Sequence, residues 1–169
     1  MASASRTRYA TLYGINVRGD FGEAPSQMLE NWMWQPAVLK KISSHVGSGE
    51  PLPDVLIDKM IAARHVADGV SWGGQAFYAE YDLQLHSLPG KPDPTALWFK
   101  LKALLTVFPE IPGTYPEASF NHLMAGYDAG YYGYLWSKVY AQDMFSEFQQ
   151  GGLENPAVGM RYRQQILVP

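Results

Sequence analysis

The amino-acid sequence predicts an all-α protein, a helical bundle-like domain spanning residues 1–169, and three observations carry that expectation. Apolar residues recur at helical spacing in several long stretches. Prolines stand where first helical turns would begin, some behind a capping residue. No segment shows the strict apolar–polar alternation of a half-buried strand. A chain of 169 residues is long enough for one domain with a real core.

The elements follow in order. Pro25 suits the first turn of a helix running to Trp34, and Pro36 interrupts it and starts a second segment from Ala37 to His45. Gly47-Ser-Gly-Glu-Pro-Leu-Pro53 has the composition of a turn. Asp54 is placed to cap a helix with Val55, Ile57, Met60 and Ile61 on one face. A longer helix is expected from about Ser71 to Leu88, its start weakened by Gly73 and Gly74, each costing about 1 kcal/mol relative to alanine. Asp93-Pro94 is a cap plus first-turn proline before a helix over Ala96 to Val107. Phe108 to Phe120, with its prolines and glycine, reads as a loop. Helical periodicity then spans Gly126 to Phe148, and Asn155-Pro156 opens a last helix to about Ile166.

Composition bounds the function classes. The net charge of −3 comes without any basic stripe, which argues against a nucleic-acid partner. There are no cysteines, so disulfides and thiolate metal sites are ruled out. The opening Met1-Ala-Ser-Ala-Ser-Arg-Thr-Arg8 has no apolar h-region, and no run of about 18 apolar residues occurs, so we expect no membrane association and a cytoplasmic protein. Charged residues make up 17%, below the roughly 25% of an average soluble domain, while tyrosine, phenylalanine and tryptophan are plentiful. Two readings fit that bias: an aromatic-lined pocket or lost covering surface, and a tight aromatic core.

Two segments concentrate groups able to do chemistry. In the first, Asp20 to Trp32, Glu23 and Glu30 are seven apart, which on a continuous helix puts them on one face two turns apart. A solvated acidic helix start, favoured by the dipole, explains the same pattern. In the second, a loop carrying His122 leads into Tyr127, Tyr131 and Tyr134 at i, i+4, i+7 spacing, which directs three phenols to one side of a helix. Such a stripe is also a common way to build a core. Gly126, Ala129, Gly130 and Gly133 between the rings leave room for close backbone packing or for a ligand.

The run Glu23-Ala-Pro-Ser-Gln-Met-Leu-Glu-Asn-Trp32 resembles a helix of the zinc oligopeptidases related to thimet oligopeptidase and neurolysin. So does His122-Leu-x-x-Gly-Tyr-Asp-Ala-Gly-Tyr-Tyr-Gly-Tyr-Leu-Trp-Ser137, as do Ser48-Gly-Glu-Pro-Leu-Pro-Asp54 and the ending Gly159-Met-x-Tyr-Arg-x-x-Ile-Leu-x-Pro169. Order and spacing hold from about Arg6 to Pro169, far more than one short motif provides. The resemblance implies part of a metallopeptidase catalytic domain. By it, Glu23 corresponds to the third zinc ligand, with Asp20 and Glu30 in the shell that orients ligands. His122, Tyr131 and Tyr134 correspond to the catalytic groups that contact substrate and stabilise an oxyanion, and Tyr127 and Gly126 to substrate-binding positions.

The departures are as specific. The chain contains no H-E-x-x-H: none of its four histidines has another at i+4. By the family spacing that motif would end roughly 25 residues before Glu23, ahead of Met1. Asn121 and Ala125 stand at usual glycine positions of a mobile loop, Gly22 at a usual aliphatic one, and Gly73-Gly74 at a pair of longer side chains. The resemblance then leaves three expectations open. The chain is part of a peptidase that does not hydrolyse peptides alone, or a short protein reusing the old pocket for acid–base chemistry (isomerase, cyclase or lyase) on a small molecule, or a non-catalytic binding module. No cofactor is expected in the isolated chain, although the family uses zinc. The expected partners are a peptide or small-molecule ligand and a second copy of the chain, the homodimer contact including Trp32, Trp34 or their apolar neighbours.

Overall fold

A computed structural model of the chain describes residues 4–169, so Met1-Ala-Ser3 of the opening segment lies outside it. The helices in chain order are α1 (Gly19–Gly22), α2 (Ala24–Leu29), α3 (Pro36–Ile42), α4 (Asp54–Ala63), α5 (Asp68–Ser87), α6 (Pro94–Leu105), α7 (Gly133–Gly151) and α8 (Pro156–Tyr162). No strand occurs among the described residues, and the protein is all-α. The chain divides into two compact units, one of residues 1–66 and 137–169, the other of residues 67–136.

The proline and capping signals sit where they were expected. Pro25, Pro36, Pro94 and Pro156 all occupy the first turn of a helix. The Asp93 carboxylate accepts the Ala96 N–H at 3.0 Å, and the Asn155 side chain accepts that of Ala157 at 3.0 Å, each satisfying a donor the helix itself cannot. Asp54 differs: Pro53, in extended conformation, takes the cap position, and Asp54 is the first helical residue, ion-paired to Lys40. There its charge still meets the positive end of the helix dipole. The helix from Pro25 also stops short, because Glu30–Trp34 tightens into a 3-10 turn. The residue before a proline is pushed out of the α region, and Gln35 accordingly sits at φ −99°, ψ 122° ahead of Pro36.

In the unit of residues 1–66 and 137–169, Met28 and Ala141 are fully buried with Phe145, Phe148 and Val158. The Trp32 ring meets Phe145 and Phe148 edge-on at 5.1 and 4.9 Å, and its indole N–H donates to the Leu153 carbonyl. Asn31, 2% exposed, donates to the Met28 carbonyl and accepts from Arg64, whose guanidinium lies over Trp34 at 5.1 Å. Both tryptophans are thus engaged within the unit. The exposed apolar side chains on this stretch are Leu29 and Met33. On α4 only Ile57 is buried, while Val55 and Met60 are exposed.

The unit of residues 67–136 is built on the antiparallel-type pairing of α5 with α6 through an aromatic core. Phe77 and Tyr81 meet Trp98 edge-on at 4.7 and 4.9 Å, and Phe120 and Tyr131 complete the cluster. Gly73 has a packing reason: a Cβ there would come within 2.9 Å of the Leu105 carbonyl at the end of α6. Helix propensity alone registers only its cost. Phe108–Phe120 is irregular apart from a 3-10 turn at Pro116–Ser119. The periodicity read across Gly126–Phe148 is overturned in its first part, since α7 begins only at Gly133. Gly126 at φ +82° and Ala129 at φ +56° are incompatible with a right-handed helix.

The two cores make two predictions. Met28→Ala should lower stability by about 2–5 kcal/mol in urea unfolding, and Met33→Ala should stay within about 0.5 kcal/mol. Burial pushes the phenols of Tyr81 and Tyr162 up to about 12 from an ordinary 10.0. The unfolded chain therefore releases these protons first. The stabilisation is complete below pH 10.0 and should fall as pH rises from there to about 12. Denaturation midpoints across that range, compared with those of Tyr162→Phe, check this.

Candidate functional site

The residues singled out from the sequence fall into two groups, one in each unit. His122 lies in a 3-10 turn, Asn121–Met124, that follows the buried Phe120. Its ring stands edge-on to three tyrosines, with centroids 5.5 Å from Tyr127, 4.9 Å from Tyr131 and 5.7 Å from Tyr134. Tyr127 and Tyr134 stack on each other at 5.4 Å. The Tyr134 hydroxyl lies 3.4 Å from His122 Nε2, a long contact that either group can donate into according to the histidine tautomer.

The convergence of the three phenols therefore holds, but its cause is not a helical stripe. Tyr127 and Tyr131 belong to a turn that Gly126 opens, and only Tyr134 is on α7. The turn is closed by hydrogen bonds from Gly130 N–H to the Tyr127 carbonyl and from Gly133 N–H to the Gly130 carbonyl. Gly126 is exposed and supplies the positive φ. Ala125, at φ −109°, needs no glycine in this conformation.

His122 and Tyr131 form part of the wall of a cavity of about 690 Å³, which is lined mainly by rings, Phe77, Tyr78, Trp98 and Phe120 among them. Lys102 and Thr106 add polar groups, and Asn121 also faces this space. Tyr131 is 7% exposed and its hydroxyl donates to Gln75 Oε1 at 3.2 Å. Burial raises its pKa, and the Gln75 hydrogen bond partly offsets that rise. The phenol is kept neutral, as a hydrogen-bond donor must be. A half-open, mainly apolar pocket with a few polar groups has the general character of a ligand site.

The acidic group occupies the other unit. Glu23 joins α1 to α2, half-buried, with one carboxylate oxygen 3.1 Å from the Ser26 hydroxyl. Glu30 opens the 3-10 turn, is largely exposed and pairs with Lys138 at 3.5 Å. The seven-residue spacing therefore does not run along one continuous α-helix, contrary to expectation. The Asp20 carbonyl accepts the hydroxyl of the fully buried Ser137 at 2.7 Å. Among the described residues no three histidine, cysteine, aspartate or glutamate side chains gather as a metal site would require. Glu23 offers one carboxylate, so these residues do not by themselves fit a zinc ion.

Sequence reasoning missed Asp82 and Gln75. Asp82 is 1% exposed, and its two oxygens accept the N–H groups of Ala129 and Tyr131 at 3.0 and 2.9 Å. The available signal was a carboxylate four residues ahead of His86 within an aromatic stretch of α5. Gln75 carried none. No helix among the described residues is long and apolar enough to cross a membrane.

The family model described as Peptidase family M3 matches residues 2–169. Oligopeptidase A of Escherichia coli is 39% identical over 96% of the chain, and the Thimet-like oligopeptidase of Dictyostelium discoideum is 34% identical over 97%. Dipeptidyl carboxypeptidase of Escherichia coli is 37% identical over 96%. The chain spans about a quarter of the length of these relatives, 25% in each case. With the match running almost from end to end of the sequence, the chain belongs to peptidase family M3.

Proposed function

We propose that this chain carries the peptide-binding side of an M3 oligopeptidase site and does not hydrolyse peptides on its own. The observation that carries the reading is the placement of His122, which lines the aromatic cavity and at once contacts the Tyr134 hydroxyl. A histidine at the wall of a mainly aromatic pocket, with a phenol hydroxyl beside it, suits a peptide carbonyl whose flanking side chain is apolar. His122 and Tyr134 would donate to the carbonyl oxygen, and their contribution would grow as negative charge develops there. Tyr131, tied to Gln75, would shape the wall. The relatives' names, Oligopeptidase A and Thimet-like oligopeptidase, point to short peptides as the substrate class.

Hydrolysis in the family depends on zinc, and here only Glu23 stands at a ligand position. A complete site would need donors that the described residues do not supply. Elemental analysis of chelator-free protein should find far less than one zinc per chain, and Glu23→Gln should not change that value. Stoichiometric zinc lost on this substitution would refute the expectation.

Binding is tested separately from cleavage. A short fluorescein-labelled peptide with an aromatic side chain should bind the chain, and a quenched peptide should stay intact at background rate. Tyr134→Phe should weaken binding by about 2–10-fold, the consequence of losing one hydrogen bond. Peptide affinity unchanged in both Tyr134→Phe and His122→Ala would remove the basis of the reading.

A further inference from the structure

The turn that carries Tyr127 and Tyr131 is not stabilised by helix or sheet. Its backbone passes through positive φ twice, at Gly126 and at Ala129. Glycine adopts that region freely, but for alanine it is unfavourable, and something must hold Ala129 there. The holding group is remote in sequence. Asp82 Oδ1 accepts the Ala129 N–H from 47 residues away, and Oδ2 accepts the Tyr131 N–H from 49 away. His86 Nδ1, one helical turn along α5, lies 3.1 Å from Oδ1 and 2.8 Å from the Asp82 carbonyl.

We propose that Asp82 is a positioning residue: its carboxylate clamps the Ala129–Tyr131 backbone and thereby assembles the tyrosine rings around His122. The clamp is bidentate, one oxygen to each of two N–H groups, so it fixes orientation as well as distance. It acts on the segment between the stacked Tyr127 and the buried Tyr131. Release of Ala129 to negative φ would turn the backbone between those two rings. The position of His122 depends on them, since it contacts both edge-on. Asp82 is itself fixed by α5, whose Phe77 and Tyr81 are buried in the aromatic core. The Asp82 carboxylate thus ties the helix pair to the backbone of the turn, alongside the buried Tyr131 ring and its hydrogen bond to Gln75. The functional consequence rests on the reading of the His122 cluster as the peptide site. The clamp itself does not.

Asp82→Asn keeps size and shape but replaces one acceptor oxygen with a donor, so one N–H of the pair loses its partner. The readout is the proton NMR signals of the His122 ring, assigned by their loss in His122→Asn. Three neighbouring aromatic rings displace those signals from their free-histidine positions. In Asp82→Asn they should move back toward those positions while far-UV circular dichroism keeps its helical signal, and labelled-peptide binding should weaken on the order of tenfold. Asp82→Asn/Ala129→Gly is the companion variant. Glycine accepts the positive φ without cost, so this variant removes the strain that the clamp opposes, and its His122 signals should lie closer to the native positions than those of Asp82→Asn. Ala129→Gly alone should leave the His122 signals in place. A folded Asp82→Asn protein with unchanged His122 signals overturns the proposal, and so does unfolding of both Asp82 variants, which would make Asp82 a fold residue only. Shifted His122 signals with unchanged peptide affinity support the clamp and count against the peptide reading.

Discussion

Backbone geometry between Gly126 and Tyr132 is the constraint on which the candidate site depends. With φ at +82° for Gly126 and +56° for Ala129, the segment cannot join α7, and the rings it carries are free of helical spacing. On a straight α-helix, residues at i, i+4 and i+7 project along one stripe several ångströms apart. A turn instead folds Tyr127 back onto Tyr134, stacked at 5.4 Å, and leaves Tyr131 pointing into the core. His122 then has rings on more than one side. A stripe would have given it a flat surface.

That geometry is sustained by burial on one side and by hydrogen bonding on the other. The core formed by Phe77, Tyr81, Trp98 and Phe120 is made of edge-on ring contacts, which add to the apolar area they remove from water. Tyr131 belongs to this core and lines the cavity as well, so the same ring serves stability and site shape. Its hydroxyl is satisfied by Gln75 and its N–H by Asp82. A buried tyrosine with either group unpaired would cost about 1–3 kcal/mol, so both partners are part of how the position is tolerated.

How much of this could be read from the sequence depended on how local the cause was. Asp93-Pro94 and Asn155-Pro156 act on their own helix starts, within three residues, and both caps form as expected. Pro36 dictates the conformation of Gln35 beside it. The helix break at 126–132 is different in kind. Ala129 would be read as a helix former, and the group that holds it at positive φ is 47 positions upstream. Gly73 likewise carries its reason in Leu105, on another helix. His122, Tyr127, Tyr131 and Tyr134 were legible as candidates through the family motif. Their arrangement was not, because periodicity describes one element at a time and the site is made by contacts between elements.

Glu23 and the His122 cluster differ in how far along the chain their described contacts reach. Glu23 lies at a junction between two short helices, with Ser26 bonded to its side chain and its carbonyl. The His122 cluster needs α5, α6, the turn after Phe120 and the start of α7 together. Groups that meet a developing charge by hydrogen bonds need such a scaffold. Their effect depends on being in position beforehand, at angles that weaken steeply when missed. The His122–Tyr134 pair is positioned in this way, by contacts gathered within its own unit.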